Sequence, residues 1–386
     1  MKSRTVLILA ALVIAAVVFT LVLERDPTPA GNDRTGERLL PTLETALNDV
    51  TAVTVDAGGE DGRTTLRRND TGWVVAERSD YPADAGQIRQ LLIRLSDASV
   101  VESKTRNPDY YGRLGVGDVG ADGGGVQVTL EGVPEPVSVI VGNQETRAGT
   151  GTYLRLAGEE QSYLVSAQLD PARTPVGWLD ESLIDVEAAD VEFIEVRQDD
   201  GAVLRIERGD DGLAVLDLPA GRSLASDTAP RSMAGVLRSF TLDDVRPATD
   251  FADEPPAAVA EYGLADGRVL TARLWQRDDG RYAALRVAFA PPAANAATAA
   301  PSTDDPATAV EPAEEETGAP DDETDAPDTG REDAADDEST ADPAATAAAA
   351  ADLDARLAPW VFKIPAHKYD LMARRLDDLL AAPTLE

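Results

Sequence analysis

Two stretches of this chain carry the same alternation of apolar and polar residues, and each gives way to the same amphipathic spacing. The first opens with Val50, Val53 and Val55, passes a Gly-rich turn, and continues through Thr65-Leu66-Arg67 and Gly72-Trp73-Val74-Val75. The second opens with Val191, Ile194 and Val196, turns at Asp200-Gly201, and continues through Leu204-Arg205-Ile206 and Gly212-Leu213-Ala214-Val215. A period of two, punctuated by Asp and Gly, predicts a three-stranded antiparallel meander in each.

A period of 3.6 follows each meander. Behind Asp84 as N-cap, with Gln87 three residues on in a capping-box pattern, Ile88, Leu91, Leu92 and Leu95 fall on one helical face. Behind Ser226-Asp227, with Pro230 tolerated in the first turn, Met233, Val236, Leu237 and Phe240 repeat that spacing. Further strands are predicted at Val126–Leu130, Val137–Val141, Tyr153–Leu156 and Tyr163–Val165, then a short helical segment around Trp178–Leu183. In the second half they fall at Val269–Trp275 and Tyr282–Phe289. Trp360–Ile364 then returns as a strand of the same sheet. A closing helix from about His367 to Ala382 presents Met372, Leu376, Leu379 and Leu380. The ordered repetition predicts an internally duplicated α+β fold, with one module over 43–186 and a second over 187–386.

Ahead of both modules the pattern changes kind. Lys2 and Arg4 precede an apolar run from Val6 to Leu23, with Glu24 and Asp26 behind it. At 1.5 Å per residue such a run nearly covers a hydrocarbon core of about 30 Å, and a helix satisfies its own backbone there. Residues 1–24 are therefore expected to be a transmembrane anchor and 25–42 a polar tether. The charge asymmetry puts the body outside the cytoplasm, as a single-pass protein of the bacterial inner membrane facing the periplasm. A cleaved signal peptide fits less well, because the run exceeds the usual apolar region and only Thr28-Pro29-Ala30 resembles a cleavage site.

Charge separates one more segment. Residues 291–358 hold 19 of the 70 acidic groups and only Arg331 and Arg356 as bases, and they carry almost no large apolar side chain. Such a stretch cannot offset its chain entropy by burial, so it is expected to be a disordered acidic insertion in the second module. The net charge of −35 disfavours nucleic acid as a partner. The chain has no cysteine, which removes disulfides and thiol chemistry, and its one histidine, His367, makes a Ser-His-Asp relay a poor fit.

Candidate chemistry is sparse. Gly120 to Gly125 is Gly-rich but precedes a strand and lacks the Lys-Ser/Thr pair of a phosphate loop, so it reads as a hairpin loop. The pairs Asp199-Asp200, Asp210-Asp211, Asp243-Asp244 and Asp278-Asp279 sit at expected turns, where aspartate makes local hydrogen bonds. Tyr110-Tyr111-Gly112 and Tyr262-Gly263 recur in the two halves, which marks Tyr111 and Tyr262 as candidate contacts for a partner, against the alternative of rings packed over the sheet. No cofactor or metal is predicted.

The succession Trp73, Tyr81-Pro82-Ala83-Asp84, Leu91-Leu92, Leu95, Tyr111-Gly112, Gly142, Tyr153-Leu154-Arg155 and Tyr163-Leu164-Val165 resembles the bacterial domain-of-unknown-function family 4340. The likeness covers most of 50–290 and 360–382. It implies a membrane-anchored protein associated with ABC transporters of the gliding-motility type, in an accessory or scaffold role on the outer side of the membrane. It brings no catalytic residues with it. Two functions follow as expectations: a non-enzymatic accessory protein binding transporter subunits or other envelope proteins, or an envelope glycan-binding or hydrolytic module using carboxylates between the two modules.

Overall fold

The computed structural model describes residues 34–120, 124–146, 149–290 and 342–382. The expected anchor at 1–24, residues 25–33 of the expected tether and residues 291–341 of the expected insertion lie outside these. Among the described residues no helix is long and apolar enough to cross a membrane. The fold is mixed α+β with antiparallel sheets, as the alternating pattern predicts. Two compact units divide the chain, one running up to Glu181 and including Asp243–Val245, the other holding Ser182–Leu242 and the residues from Arg246 onward.

The first unit contains β1 (Ala52–Asp56), β2 (Arg63–Asn69), β3 (Gly72–Val75), β4 (Tyr81–Pro82), helix α1 (Ala85–Asp97), β5 (Val100–Ser103), the single turn α2 (Tyr111–Leu114), β6 (Val126–Glu131), β7 (Val137–Glu145), β8 (Gly151–Leu156) and β9 (Ser162–Val165). Its strands form one sheet in the order β4-β3-β2-β1-β6-β7-β8-β9-β5. Alternation sets the buried face: Val53 and Val55 of β1 lie opposite Leu130 and Val128 of β6, and all four are buried. The β2–β3 turn is tied by Asn69, whose Oδ1 accepts from the amides of Thr71 and Gly72 at 2.9 and 3.0 Å. Gly72 there takes φ +136°, a conformation that favours glycine. Helix α1 starts where the sequence says, with Asp84 accepting from the Gln87 amide at 2.9 Å, and buries Ile88, Leu91, Leu92 and Leu95.

The second unit contains β10 (Ser182–Ile184), β11 (Val191–Gln198), β12 (Val203–Gly209), β13 (Gly212–Val215), helix α3 (Ala229–Ala234), β14 (Phe240–Thr241), the end of β15 (Asp244–Pro247), whose first two residues group with the first unit, β16 (Ala258–Leu264), β17 (Arg268–Arg277), β18 (Gly280–Phe289), helix α4 (Pro343–Leu357), β19 (Trp360–Lys363), α5 (Ala366–Met372) and α6 (Leu376–Leu379). Its main sheet runs β13-β12-β11-β16-β17-β18-β19-β15, while β10 and β14 form a separate pair. Omitting β4, this order matches that of the first sheet strand for strand. Trp360–Ile364 returns as expected, with Phe362 and Lys363 of β19 opposite Ala283 and Tyr282 of β18.

Four local expectations are corrected. The segment around Trp178–Leu183 is not helical beyond a 3-10 turn at Pro175–Trp178, because Ser182–Ile184 pairs with β14 instead. Helix α3 begins one residue later than expected, with Thr228 as N-cap, and ends at Ala234 before Gly235. Phe240 leaves the helical stripe for β14 after Ser239 turns the chain at φ +45°, yet Met233, Val236, Leu237 and Phe240 are all buried. The last helix is two short ones, broken at Ala373–Arg375, where the Asp378 carboxylate accepts from the Arg375 amide and starts a new helix. Finally, residues 343–357 of the expected disordered insertion are helical. Asp342 accepts from the Ala344 amide, Pro343 occupies the first turn, and the alanine-rich run that follows favours a helix.

Candidate functional site

The two tyrosines singled out by the sequence are both buried, and they are not equivalent. Tyr111 opens α2 between β5 and β6, whereas Tyr262 lies within β16. The pairing shows why: Val53 faces Leu130 in the first sheet, and Ile194 faces Tyr262 in the second, so Tyr262 occupies the place of Leu130. Tyr262 is fully buried, its hydroxyl has no hydrogen-bond partner among the described residues, and burial pushes its pKa up. Neither ring has a free face to offer a partner.

Tyr111 instead belongs to a lock around Arg155. The Arg155 guanidinium lies 4.7 Å from the Tyr111 ring centroid, its Nε donates to the Val116 carbonyl at 2.8 Å, its Nη1 donates to the Glu159 carbonyl at 2.9 Å, and its Nη2 pairs with Asp118. The Tyr111 hydroxyl donates to the Glu160 carbonyl at 2.5 Å. Desolvation raises the Tyr111 pKa, with Arg155 opposing. Gly142 completes the arrangement, since a Cβ there would stand 2.4 Å from the Leu114 carbonyl oxygen. The residues Tyr111, Gly142 and Arg155 of the sequence resemblance therefore fix a loop against β7 and β8, which is structural work.

One member of three of the acidic pairs, Asp200, Asp244 and Asp279, is held in an internal contact. Asp200 accepts from the Ala202 amide and pairs with Arg375, and these contacts, the amide first, lower its pKa. Asp279 accepts from the Tyr282 hydroxyl at 2.9 Å and pairs with Arg246 at 2.6 Å, and its pKa is lowered too. Within the first unit, to which Asp243–Val245 belong, Asp244 takes Arg78 Nε at 2.6 Å. A general acid needs a carboxyl raised toward neutrality, and the shifts at Asp200 and Asp279 run the other way.

What the sequence did not flag is a cleft of about 370 Å3 in the first unit. Trp73, Ile88, Leu92 and Ile93 give it apolar walls, and Arg68 and Arg89 also line it. Among the described residues no acidic side chain lines it. Ile93 is 44% exposed, and Trp73 is half-buried. Arg68 is held by its Nη1 donating to the Asn48 carbonyl at 3.2 Å. The second unit carries a counterpart of about 390 Å3, where Leu213 stands in place of Trp73. Arg208 there repeats the Arg68 contact, its Nη2 donating to the Ala188 carbonyl at 2.8 Å. That cleft is charge-balanced: Asp211 and Asp227 line it beside Arg231, and Arg208 pairs with Glu192 at 3.2 Å. A hollow of about 560 Å3 beside Tyr369 is balanced in the same way, with Asp199, Asp370 and Asp378 beside Arg374 and Arg375. The signal for the first cleft was the exposed Ile93 next to the buried stripe of α1, which periodicity alone treats as surface.

The family described as "Domain of unknown function (DUF4340)" matches residues 73–267, half of the chain. The chain belongs to the DUF4340 family. Trp73, Tyr111, Gly142 and Arg155 all fall within the DUF4340 match, and so does the whole α1 side of the first cleft. No curated protein matches the chain.

Proposed function

We propose that this DUF4340 protein is a membrane-anchored, extracytoplasmic accessory or scaffold protein that works by binding a partner, in association with an ABC transporter or another envelope protein, and not by turnover. One observation carries this reading. Asp200, Asp244, Asp279 and Tyr111 are engaged in internal contacts and Tyr262 is fully buried, while an apolar cleft with arginines stays open in the first unit. The matching strand orders support two copies of one module arisen by duplication. The apolar run at 6–23 behind Lys2 and Arg4 supports a single-pass anchor with the body in the periplasm.

The experiment has three arms. A reporter active only in the periplasm, fused after Glu386, is active, and the protein stays with membranes through a high-salt wash. Affinity purification from solubilised membranes recovers the same transporter or envelope subunits reproducibly. Purified protein leaves peptidoglycan, other glycans and esters intact. Release of a shortened soluble form overturns the anchor, and glycan turnover lost on neutralising Asp243 and Asp244 replaces the scaffold with an envelope hydrolase.

A further inference from the structure

We infer that the cleft between α1 and the β2–β3 turn of the first unit receives a partner segment of defined chemistry: one large apolar side chain flanked by one or two carboxylates. The inference rests on the partner-binding reading and names what that partner presents. About 370 Å3 is at the low end of ligand sites, enough to take a side chain and its immediate neighbours. The walls dictate what enters. Trp73 and Ile93 are partly exposed and Ile88 and Leu92 form the floor, so an aliphatic or aromatic group gains by leaving water there.

Charge complementarity supplies the rest. Arg68 and Arg89 line a cleft that holds no acidic side chain among the described residues, in a chain of net charge −35. Arg68 already spends one donor on the Asn48 carbonyl, which holds its guanidinium in place and leaves other donors for a carboxylate. The second unit provides an internal control. The same Arg-to-carbonyl contact recurs at Arg208, but Glu192, Asp211 and Asp227 neutralise that cleft and Leu213 replaces the indole. The acidic body also limits the ligand. Acids farther than a screening length of about 8–10 Å from Arg68 and Arg89 gain nothing from them and lie against an acidic body, so a few carboxylates close to the apolar group suit the site and a polyacidic tract does not. Residues 291–341 of this chain are such a tract, and Val310 is the largest apolar side chain they have.

The test uses the purified full chain in detergent and labelled peptides bearing a leucine–phenylalanine pair between glutamates. Expected is saturable binding that weakens with salt and falls about tenfold or more in Arg89→Glu and in Ile93→Ser. Both substitutions sit at exposed positions of α1, so the fold survives, and unchanged helicity checks this. Arg231→Glu in the second cleft leaves binding unchanged. Control peptides with serine for the apolar pair, or glutamine for the glutamates, bind at least tenfold more weakly. Binding of polyglutamate equal to that of the peptide, wild-type binding by both α1 variants, or preference for anionic lipid vesicles over the peptide each overturns the inference. If membrane purification recovers partners equally with wild type and with Arg89→Glu, the cleft assignment falls and partner binding stands. If it recovers none, the broader reading falls as well.

Discussion

Arg286 and Asp354 form a two-point ion pair, with Arg286 Nε and Nη2 donating to the two carboxylate oxygens at 2.8 and 2.9 Å. Asp354 Oδ1 also accepts from the Val287 amide at 2.8 Å. The register explains the arrangement. β19 reaches only Tyr282 and Ala283 of β18, so the amide of Val287 faces away from β17 without a strand to take it. Helix α4 takes that position, burying Ala350 and Leu357 as it does so. An open strand edge invites pairing with other chains, and here a helix from the end of the acidic segment covers it.

The pair titrates in a stated direction. The hydrogen bond from Arg286 is the largest cause holding Asp354 below the usual carboxylate value, and the Val287 amide adds to it. A depressed folded-state pKa stabilises the fold above the ordinary value, and that contribution is lost as pH falls through the lowered one. Asp354→Asn is expected to destabilise the docked helix by about 1 kcal/mol at neutral pH, discounted because Arg286 is mostly exposed. Hydrogen exchange then speeds up across 343–357, and the gap between variant and wild type closes below about pH 4. A gap that persists in acid assigns the docking to Ala350 and Leu357 alone.

Where the acidic segment ends can be read by replacement. A Gly-Ser linker of about twenty residues in place of 291–341 is expected to leave the melting temperature within a few degrees, since loop closure changes by only about 0.6 kcal/mol per doubling of length. Extending the replacement through Leu357 removes Asp354 and two buried side chains and is expected to lower it measurably. Equal melting of the two variants would deny α4 its role on the sheet edge.

Arg155 gives a prediction inside the first unit. It is 4% exposed and its Nε and Nη1 serve two backbone carbonyls, so Arg155→Met leaves Val116 and Glu159 short of donors and the Tyr111 ring without its cation. A loss of about 2–3 kcal/mol follows, read as a lower denaturant midpoint. Exchange protection is expected to drop first around Tyr111–Val116. An unfolding free energy within a few tenths of a kcal/mol of wild type would make the lock ornamental.

The sequence carried its local periods well and its long-range pairing poorly. Period two and the Asp84 cap placed the meanders and α1, because those patterns are set by neighbours a few residues away. The likeness of Tyr111 to Tyr262 was also local, a tyrosine before a glycine, and it misled because the position of Tyr262 is decided by pairing with Ile194 across many residues. Helix α4 was missed for the opposite reason. Composition averaged over 291–358 hid an alanine-rich end whose stability comes from Arg286 and Val287 on a distant strand. The cleft escaped for a third reason: its walls come from α1 and from the turn before β3, and no single window contains both.

Leu92 and Ile93 are adjacent on α1, and their substitution separates core from surface within one turn. Leu92 is 6% exposed and belongs to the buried stripe, whereas Ile93 is 44% exposed. Leu92→Asp places a carboxylate among apolar neighbours at a cost of several kcal/mol, comparable to the whole stability of a domain. Exchange protection is therefore expected to disappear across β1, β2 and β6. Leu237→Asp, at a fully buried position after α3, should do the same to β11, β12 and β16. Ile93→Asp keeps its charge in water, so the first unit stays folded at close to the wild-type denaturant midpoint. Because Ile93 also lines the cleft, that variant should lose the apolar-acidic peptide while retaining full exchange protection, which separates binding from folding at neighbouring positions. Unfolding of Ile93→Asp would mean that the cleft is closed core, and protection retained in Leu92→Asp would mean that the stripe faces elsewhere.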